Sequence, residues 1–344
     1  MIVFADEHDA LHAIPRGNNG QVILDAQKRR LFDEHVLARG ERCERQRQVI
    51  ARRHCDDDGV GAYADYSAAI EDPKVDAVVI AVPPRYHLTL TLAALASRKH
   101  VLVEKPAYPC MEDYDTVVAA RDRAGRVVLV GENDHYKPLA VQLRTLMAAG
   151  TLGEMVFAHF TTIAHKLKAH DDWRNDEEMA GGDAFFEEGI HWLHLANSLG
   201  PRIVEAHGYR PPPSPDGPDR RAKSMLVAFT YDNGAVGALY YSREIPSLFR
   251  GLRLSKLFGR RRVITFESNG LFLVVRGEGL PRLRFPGFSD IRGYRAMYRD
   301  FAGSIRDGRQ PEMSLERAMD DQRLMDQIYG KSPAPHPESH IPTP

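Results

Sequence analysis

From residue 63 to residue 133 the hydrophobic pattern changes period in a regular way, and this alternation restricts the possible folds more than any other feature of the chain. "DYSAAIEDP" has the spacing of a short helix, "VDAVVIAV" (75–82) is a continuous apolar run of strand length, and "YHLTLTLAALASRK" (86–99) repeats apolar residues at helical spacing. "HVLVE" (100–104) predicts a second strand, "MEDYDTVVAARDRAG" a helix stopped by Gly125, and "RVVLVGEN" a third strand. Strands and helices alternating through short connections are the signature of right-handed βαβ crossovers and of a parallel sheet covered on both faces.

Beyond about residue 135 the pattern shifts. A helix ("PLAVQLRTLMAAG") leads to the strand-like "GEMVFAHFTTI", a polar stretch and a helix over 183–199. "IVEAHGYR", "SMLVAFTYDNGAVGALYYSRE", "RVITFES" and "LFLVVRG" follow as strands, and Asp232, Asn233 and Gly234 between two β-rich runs predict a hairpin. Helices over 291–307 and 314–330 close the pattern, the loop "PPPSPDGP" (211–218) interrupts it, and 331–344 reads as a loosely held tail. This half is α+β with an open, largely antiparallel sheet.

A chain of 344 residues, 43% hydrophobic and 27% charged, suits a globular protein of about two domains. Its formal net charge of -1 gives no general attraction to nucleic acid or anionic lipid, and the basic run "FGRRRV" (258–263) reads as a solvated hairpin turn. The three cysteines, Cys43, Cys55 and Cys110, are an odd number at irregular spacing and fit neither a disulfide framework nor a zinc pattern. "MIVFADEHDA" is acidic where a secretory signal is basic, and no apolar run nears the roughly 20 residues that cross a bilayer. A cytoplasmic protein without membrane or nucleic-acid partners is expected.

In an open parallel sheet, ligands bind outside the carboxyl ends of the strands. Two apolar strands end there in unusual chemistry: "VVIAVPPRYH" in Pro83 and Pro84, and "HVLVEKP" in Glu104 and Lys105. Charges at a binding edge are easier to explain than charges in a core, although a solvated strand end would look the same. With "VGEN" followed by "YKP", "DWR" and "AGGDAFFEEGIHWLHL", these motifs stand in an order and spacing that resembles the Gfo/Idh/MocA oxidoreductases, the glucose-fructose oxidoreductase and inositol dehydrogenase group, over residues 62 to 330.

The resemblance implies a Rossmann-type domain over 1–134 that binds NAD or NADP, an α+β substrate and oligomerisation domain over 135–330, and a homo-oligomer. Carried over by position, Lys105 matches the lysine of the Glu-Lys-Pro motif, near nicotinamide and substrate hydroxyl, and His191 matches the catalytic histidine. Glu187, one helical turn before His191, stands where the family usually has aspartate, and His194 where another aspartate is common. Oxidising a secondary alcohol needs a hydride acceptor and a group that removes the hydroxyl proton, work for which an imidazole is suited. Pro83, His87, Glu104, Lys105, Asn133, Trp173 and Arg174 are the expected cofactor contacts. Each has a plainer reading: His87 and His191 as packed histidines, Trp173 and Arg174 as boundary packing. Glu187, Glu188, His191 and His194 also have the spacing of a helical metal site, but the parallel-sheet context and the lack of a second cluster argue against one, so no metal is expected.

The first 60 residues depart from this pattern. A dinucleotide fold opens with a strand running into G-x-G-x-x-G, because glycines let the backbone approach the pyrophosphate at a helix N-terminus. No such motif is present; "RGNNGQVILDAQ" offers Gly17 and Gly20 with Asp25 after a strand-like run, but no convincing strand before them, and the charged stretch over 39–58 reads as a solvated helix. Three functions follow as expectations: an NAD(P)-dependent oxidoreductase acting on a sugar, cyclitol or related polyol; a redox-neutral, NAD-dependent glycosidase-like enzyme of the same lineage; and a non-catalytic binding protein that has lost the phosphate loop.

Overall fold

The computed structural model describes residues 2–5, 66–165, 172–212, 223–246, 252–277 and 279–331. Gly17, Gly20, Asp25, the charged stretch over 39–58, most of the proline-rich loop and the tail lie outside the described residues. The chain forms two compact units, one from Met1–Glu132, Asp171–Gly181 and Tyr294–Leu315, the other from Asn133–His170, Gly182–Gly293 and Glu316–Pro344.

The first unit holds a four-stranded parallel sheet in the order β1 (Ile2–Ala5), β2 (Ala77–Ala81), β3 (His100–Glu104), β4 (Val128–Gly131). Every residue of β2 and β4 is buried, as a sheet covered on both faces requires. The crossovers are α1 (Tyr66–Glu71), α2 (His87–Ala96) and α3 (Met111–Ala124). In α3, Glu112 and Asp113 occupy the first turn and Arg121 and Arg123 the last, complementing the helix dipole. It ends as predicted at Gly125, whose left-handed φ of 61° lets its N–H turn back to the carbonyls of Arg121 and Asp122. One expectation is corrected. A strand does precede Gly17: Ile2–Ala5 runs parallel to β2, with Ile2 beside Val78. Four residues followed at once by Asp6 and Glu7 are too few to show a period, which is why the pattern missed it.

The second unit is built on an eight-stranded sheet in the order β12-β11-β10-β9-β5-β8-β7-β6. Its strands are β5 (Met155–Ile163), β6 (Ile203–Tyr209), β7 (Ser224–Tyr231), β8 (Val236–Ser242), β9 (Leu254–Gly259), β10 (Arg262–Glu267), β11 (Leu273–Gly277) and β12 (Arg282–Arg284). β5 pairs parallel with β8 and the remaining pairings are antiparallel, including the predicted β7–β8 hairpin. Burial alternates along β5 and β7, so one face carries Phe160, Val227, Phe229 and Leu239 into the core. There they join Leu139 and Leu143 of α4 (Pro138–Ala148), Leu193 of α6 (Ile190–Asn197) and Leu324 of α8 (Leu315–Ile328). A one-turn helix, α5 (Glu177–Ala180), and a long one, α7 (Tyr294–Asp307), both in the first unit, complete the helices. No helix among the described residues is long and apolar enough to cross a membrane.

Candidate functional site

In the first unit the parallel register levels the strand ends, pairing Glu104 with Gly131 and Ile80 with Val103, so Pro83, Glu104 and Lys105 leave the sheet at its carboxyl edge. Pro83 precedes a single 3-10 turn, Pro84–Tyr86, whose fixed φ values end the strand and start α2. A Cβ at Gly131 would come within 3.1 Å of the Glu104 backbone and carboxylate, so the glycine lets Glu104 fold across the strand end. The Glu104 charge also reaches Tyr298 of α7, a buried hydroxyl whose pKa is pushed up first by burial and then by that carboxylate. The Lys105–Pro106 peptide is cis.

His87 lies entirely inside. Its Nε2 is 2.7 Å from the carbonyl of Val82, and its Nδ1 is 3.1 Å and 3.0 Å from those of Pro106 and Ala107. The ring thereby lies between the end of β2 and the loop after Lys105, within reach of backbone carbonyls of both. Burial lowers its pKa to about 4 against the opposing pull of the three carbonyls, with the Lys105 charge adding to the lowering.

The Trp173-Arg174 segment belongs to this same unit. Asp172 accepts hydrogen bonds from the backbone N–H (2.9 Å) and guanidinium (3.3 Å) of Arg174, whose guanidinium stacks 4.3 Å from the Trp173 ring centre. An ion pair between Arg85 and Glu178 joins the segment that follows to the Pro84–Tyr86 turn. The structure thus gathers Pro83, Arg85, Trp173 and Arg174 within one unit. The indole N–H of Trp173 is buried without a hydrogen-bond partner among the described residues.

The second unit contributes a denser cluster. Directly after β4 the chain makes a tight turn, Asn133–Tyr136, in which all four residues are buried. Asn133 donates to the carbonyl of Arg292 (2.7 Å) and to Asp134 (3.2 Å), and Lys137 donates to the other Asp134 oxygen at 2.6 Å. A carboxylate oxygen of Asp134 and a ring nitrogen of His191 lie within 4.8 Å of each other. Beside them runs a buried relay: His135 Nδ1 is 2.9 Å from His194 Nε2, and His194 Nδ1 is 2.6 Å from Asp321. Asp321, on α8, also accepts from Asn197 at 3.2 Å. The carboxylate fixes the tautomer: His194 donates through Nδ1, so in the neutral pair Nε2 accepts from the Nδ1–H of His135.

Glu187 sits within a π-type turn, Phe185–Gly189, that replaces the first part of the helix predicted over 183–199. The regular α-helical spacing expected between Glu187 and His191 is therefore absent. Asp183 starts this turn by accepting from the N–H groups of Phe185 (3.0 Å) and Phe186 (3.1 Å), and Tyr329 donates to it. Tyr241 donates to the Ala184 carbonyl at 2.9 Å and to Glu188 at 3.2 Å, and burial, with the charges of Glu188 and Glu187, pushes its pKa up. The motif reading passed over Asp134, His135, Tyr298 and Asp321. The run "NDHYK" straight after a strand was a usable signal for the first two; nothing local marked Asp321.

Two stretches match models of one family: residues 17–132 match "Oxidoreductase family, NAD-binding Rossmann fold", and residues 140–254 match the "GFO/IDH/MocA C-terminal domain". The chain belongs to the Gfo/Idh/MocA oxidoreductase family. The first match carries the likeness back from residue 62 to residue 17, into the stretch without the glycine motif. Among curated relatives, this Gfo/Idh/MocA chain is 27% identical over 184 residues to 1-carboxy-3-chloro-3,4-dihydroxycyclo hexa-1,5-diene dehydrogenase of Comamonas testosteroni, covering 52% of this chain and 45% of that one. It thus spans less than half of that relative's length. With 4-carboxy-2-hydroxymuconate-6-semialdehyde dehydrogenase of Sphingobium it is 23% identical over 325 residues, 91% of this chain and 95% of the relative. A crystal structure of an inositol dehydrogenase homolog complexed with NAD+, from Azotobacter vinelandii, shares the fold at a TM-score of 0.68 and 20% identity, covering 78% of this chain and 80% of that one.

Proposed function

We propose that the chain is an NAD(P)-dependent oxidoreductase that moves a hydride between a nicotinamide and a hydroxyl-bearing carbon of a sugar, cyclitol or related polyol. The observation that carries this reading is the closeness of His191 to Asp134, a ring nitrogen of one lying within 4.8 Å of a carboxylate oxygen of the other, in a carboxylate that also accepts from Lys137 at 2.6 Å. An imidazole next to polar groups is the kind of side chain that can take up a hydroxyl proton as a general base.

The residues fit the cofactor. Pro83, Glu104, Lys105, Trp173 and Arg174 stand on the unit that holds the parallel sheet, and the unpartnered indole N–H of Trp173 is an atom that a bound polar group would satisfy. Bound there, the nicotinamide supplies the acceptor for the electron pair of the breaking C–H bond. In the oxidising direction Lys105 orients the substrate hydroxyl and offsets charge developing on its oxygen, while His191 takes the O–H proton as the carbonyl forms. Glu187 serves substrate positioning. Both amide hydrogens of Asn133 are engaged within the chain, and both nitrogens of His87 face carbonyls, so these two act by holding the surrounding backbone in place. The relatives named above act on hydroxylated or aldehyde-bearing carbon skeletons, which supports the substrate class.

A fluorescence titration with NADH and NADPH, followed by a polyol screen, tests this. Binding at about micromolar strength is expected, and Lys105→Ala and His191→Ala should each lower kcat roughly 100-fold or more with cofactor binding retained. Near-normal turnover in both variants removes the two residues from the mechanism.

A further inference from the structure

The edge of the eight-stranded sheet carries a concentration of positive charge that the oxidoreductase reading does not use. β12, the edge strand, pairs with β11 so that Arg282 lies opposite Val275 and Arg284 opposite Leu273, and β10 pairs with β11 so that Arg262 lies opposite Gly277. Directly opposed residues in an antiparallel pair share a face. Leu273 and Val275 belong to the buried core, so Arg262, Arg282 and Arg284 lie on the core side of the sheet, at its rim. With Arg276, Thr151 and Gly277 they line a cavity of about 50 Å³.

Three features make this a built site. First, among the described residues the lining contains no carboxylate and none of the four arginines is in an ion pair. Acidic partners are not scarce: the chain has 47 Asp and Glu residues, and Arg260, beside the cavity in sequence, pairs with Glu154 at 2.8 Å. Second, Gly277 has a φ of 140°, and a Cβ there would come 2.4 Å from the Arg261 carbonyl and 2.8 Å from Arg262 Cγ. Any other residue would push the stem of Arg262 out of the cavity wall. Third, one water needs roughly 10–15 Å³ on this volume measure, so the cavity has room for about three to five waters or one tetrahedral oxyanion.

We propose that this cavity binds a phosphate group, either as inorganic phosphate or as the phosphate of a small ester. Guanidinium forks match phosphate oxygens in pairs, and a dianion relieves the mutual repulsion of four neighbouring cations. All four arginines lie beyond residue 254, outside the stretches that match the family models. It does not depend on the oxidoreductase reading.

The test is a titration of the full chain with sodium phosphate against sodium chloride at equal ionic strength, read by thermal unfolding and by 31P line broadening. Arg282→Lys, Arg284→Lys and Arg282→Ala/Arg284→Ala are run in parallel, and each protein is also titrated with NADH. Phosphate should raise the unfolding temperature and chloride should not. Losing one charge-assisted contact should weaken phosphate binding roughly tenfold, and the lysine variants should bind more weakly than wild type although their charge is unchanged. NADH affinity should stay the same in all of them, which separates this cavity from any phosphate-binding dinucleotide site. Equal responses to phosphate and chloride, or a phosphate response unchanged in the double variant, would overturn the proposal and leave the arginines as charges that keep an edge strand from pairing with another chain.

Discussion

At His87 burial and hydrogen bonding oppose each other, and burial wins. Three carbonyl oxygens would favour a doubly protonated ring, yet the enclosed site lowers the pKa to about 4 from an ordinary value near 6.5. The folded state therefore keeps this ring neutral at a pH where the unfolded chain has already taken a proton. Between pH 6.5 and 4 the unfolded state binds more protons, so stability is fully present above 6.5 and falls as pH drops towards 4. The full shift corresponds to about 3 kcal/mol, of which roughly 2 kcal/mol is lost by pH 5. Urea unfolding at pH 7 and pH 5 should show this loss in the wild type and a clearly smaller one in His87→Asn. An identical loss in both would transfer the effect to other groups.

Helix α6 and the turn before α4 show how far elements could be read from sequence. Each strand of the parallel sheet after residue 66 was visible because continuous apolar runs alternate with helical spacing, and the two units' opposite sheet types followed from the loss of that alternation. The π-type turn over Phe185–Gly189 was not visible, since Glu187 and His191 have the same sequence spacing in either helix type. The relay was half visible: His194 stood out as a departure from the family's aspartate, but its carboxylate comes from Asp321, 127 residues away. Long-range pairing of single polar residues leaves no periodic trace. Because the pair is buried, removing Asp321 strands the imidazole of His194 without its acceptor, a change that costs about 3 kcal/mol. Asp321→Ala should destabilise by that amount, and a double-mutant cycle with His194→Leu should give a coupling above about 1 kcal/mol. Additive effects would show that the 2.6 Å contact carries no energy of its own.

Across the second unit as a whole, the eight-stranded sheet is covered by helices on one face, while the opposite face keeps apolar side chains in solvent. Phe157 is 53% exposed, Val236 42% and Tyr240 41%, and the registers place Val236 beside Phe157 and Tyr240 beside Thr161. The ring of Tyr240 meets that of His159 edge-on at 5.3 Å, so these residues form a continuous patch. A contiguous apolar patch of this kind is what a monomer avoids and a self-associating surface presents, and symmetric self-association is the commonest way to bury it. We therefore predict a homo-oligomer at micromolar concentration. Sedimentation velocity should show a species at least twice the 38.7 kDa chain mass, shifting towards the monomer in Phe157→Glu and Tyr240→Glu. Placing a charge on an open, solvated sheet face costs the isolated chain little, whereas burying it unpaired at an interface costs several kcal/mol, so the substitutions should act on assembly and leave folding intact. A wild-type chain that sediments as a monomer at these concentrations would remove this face as a self-association surface.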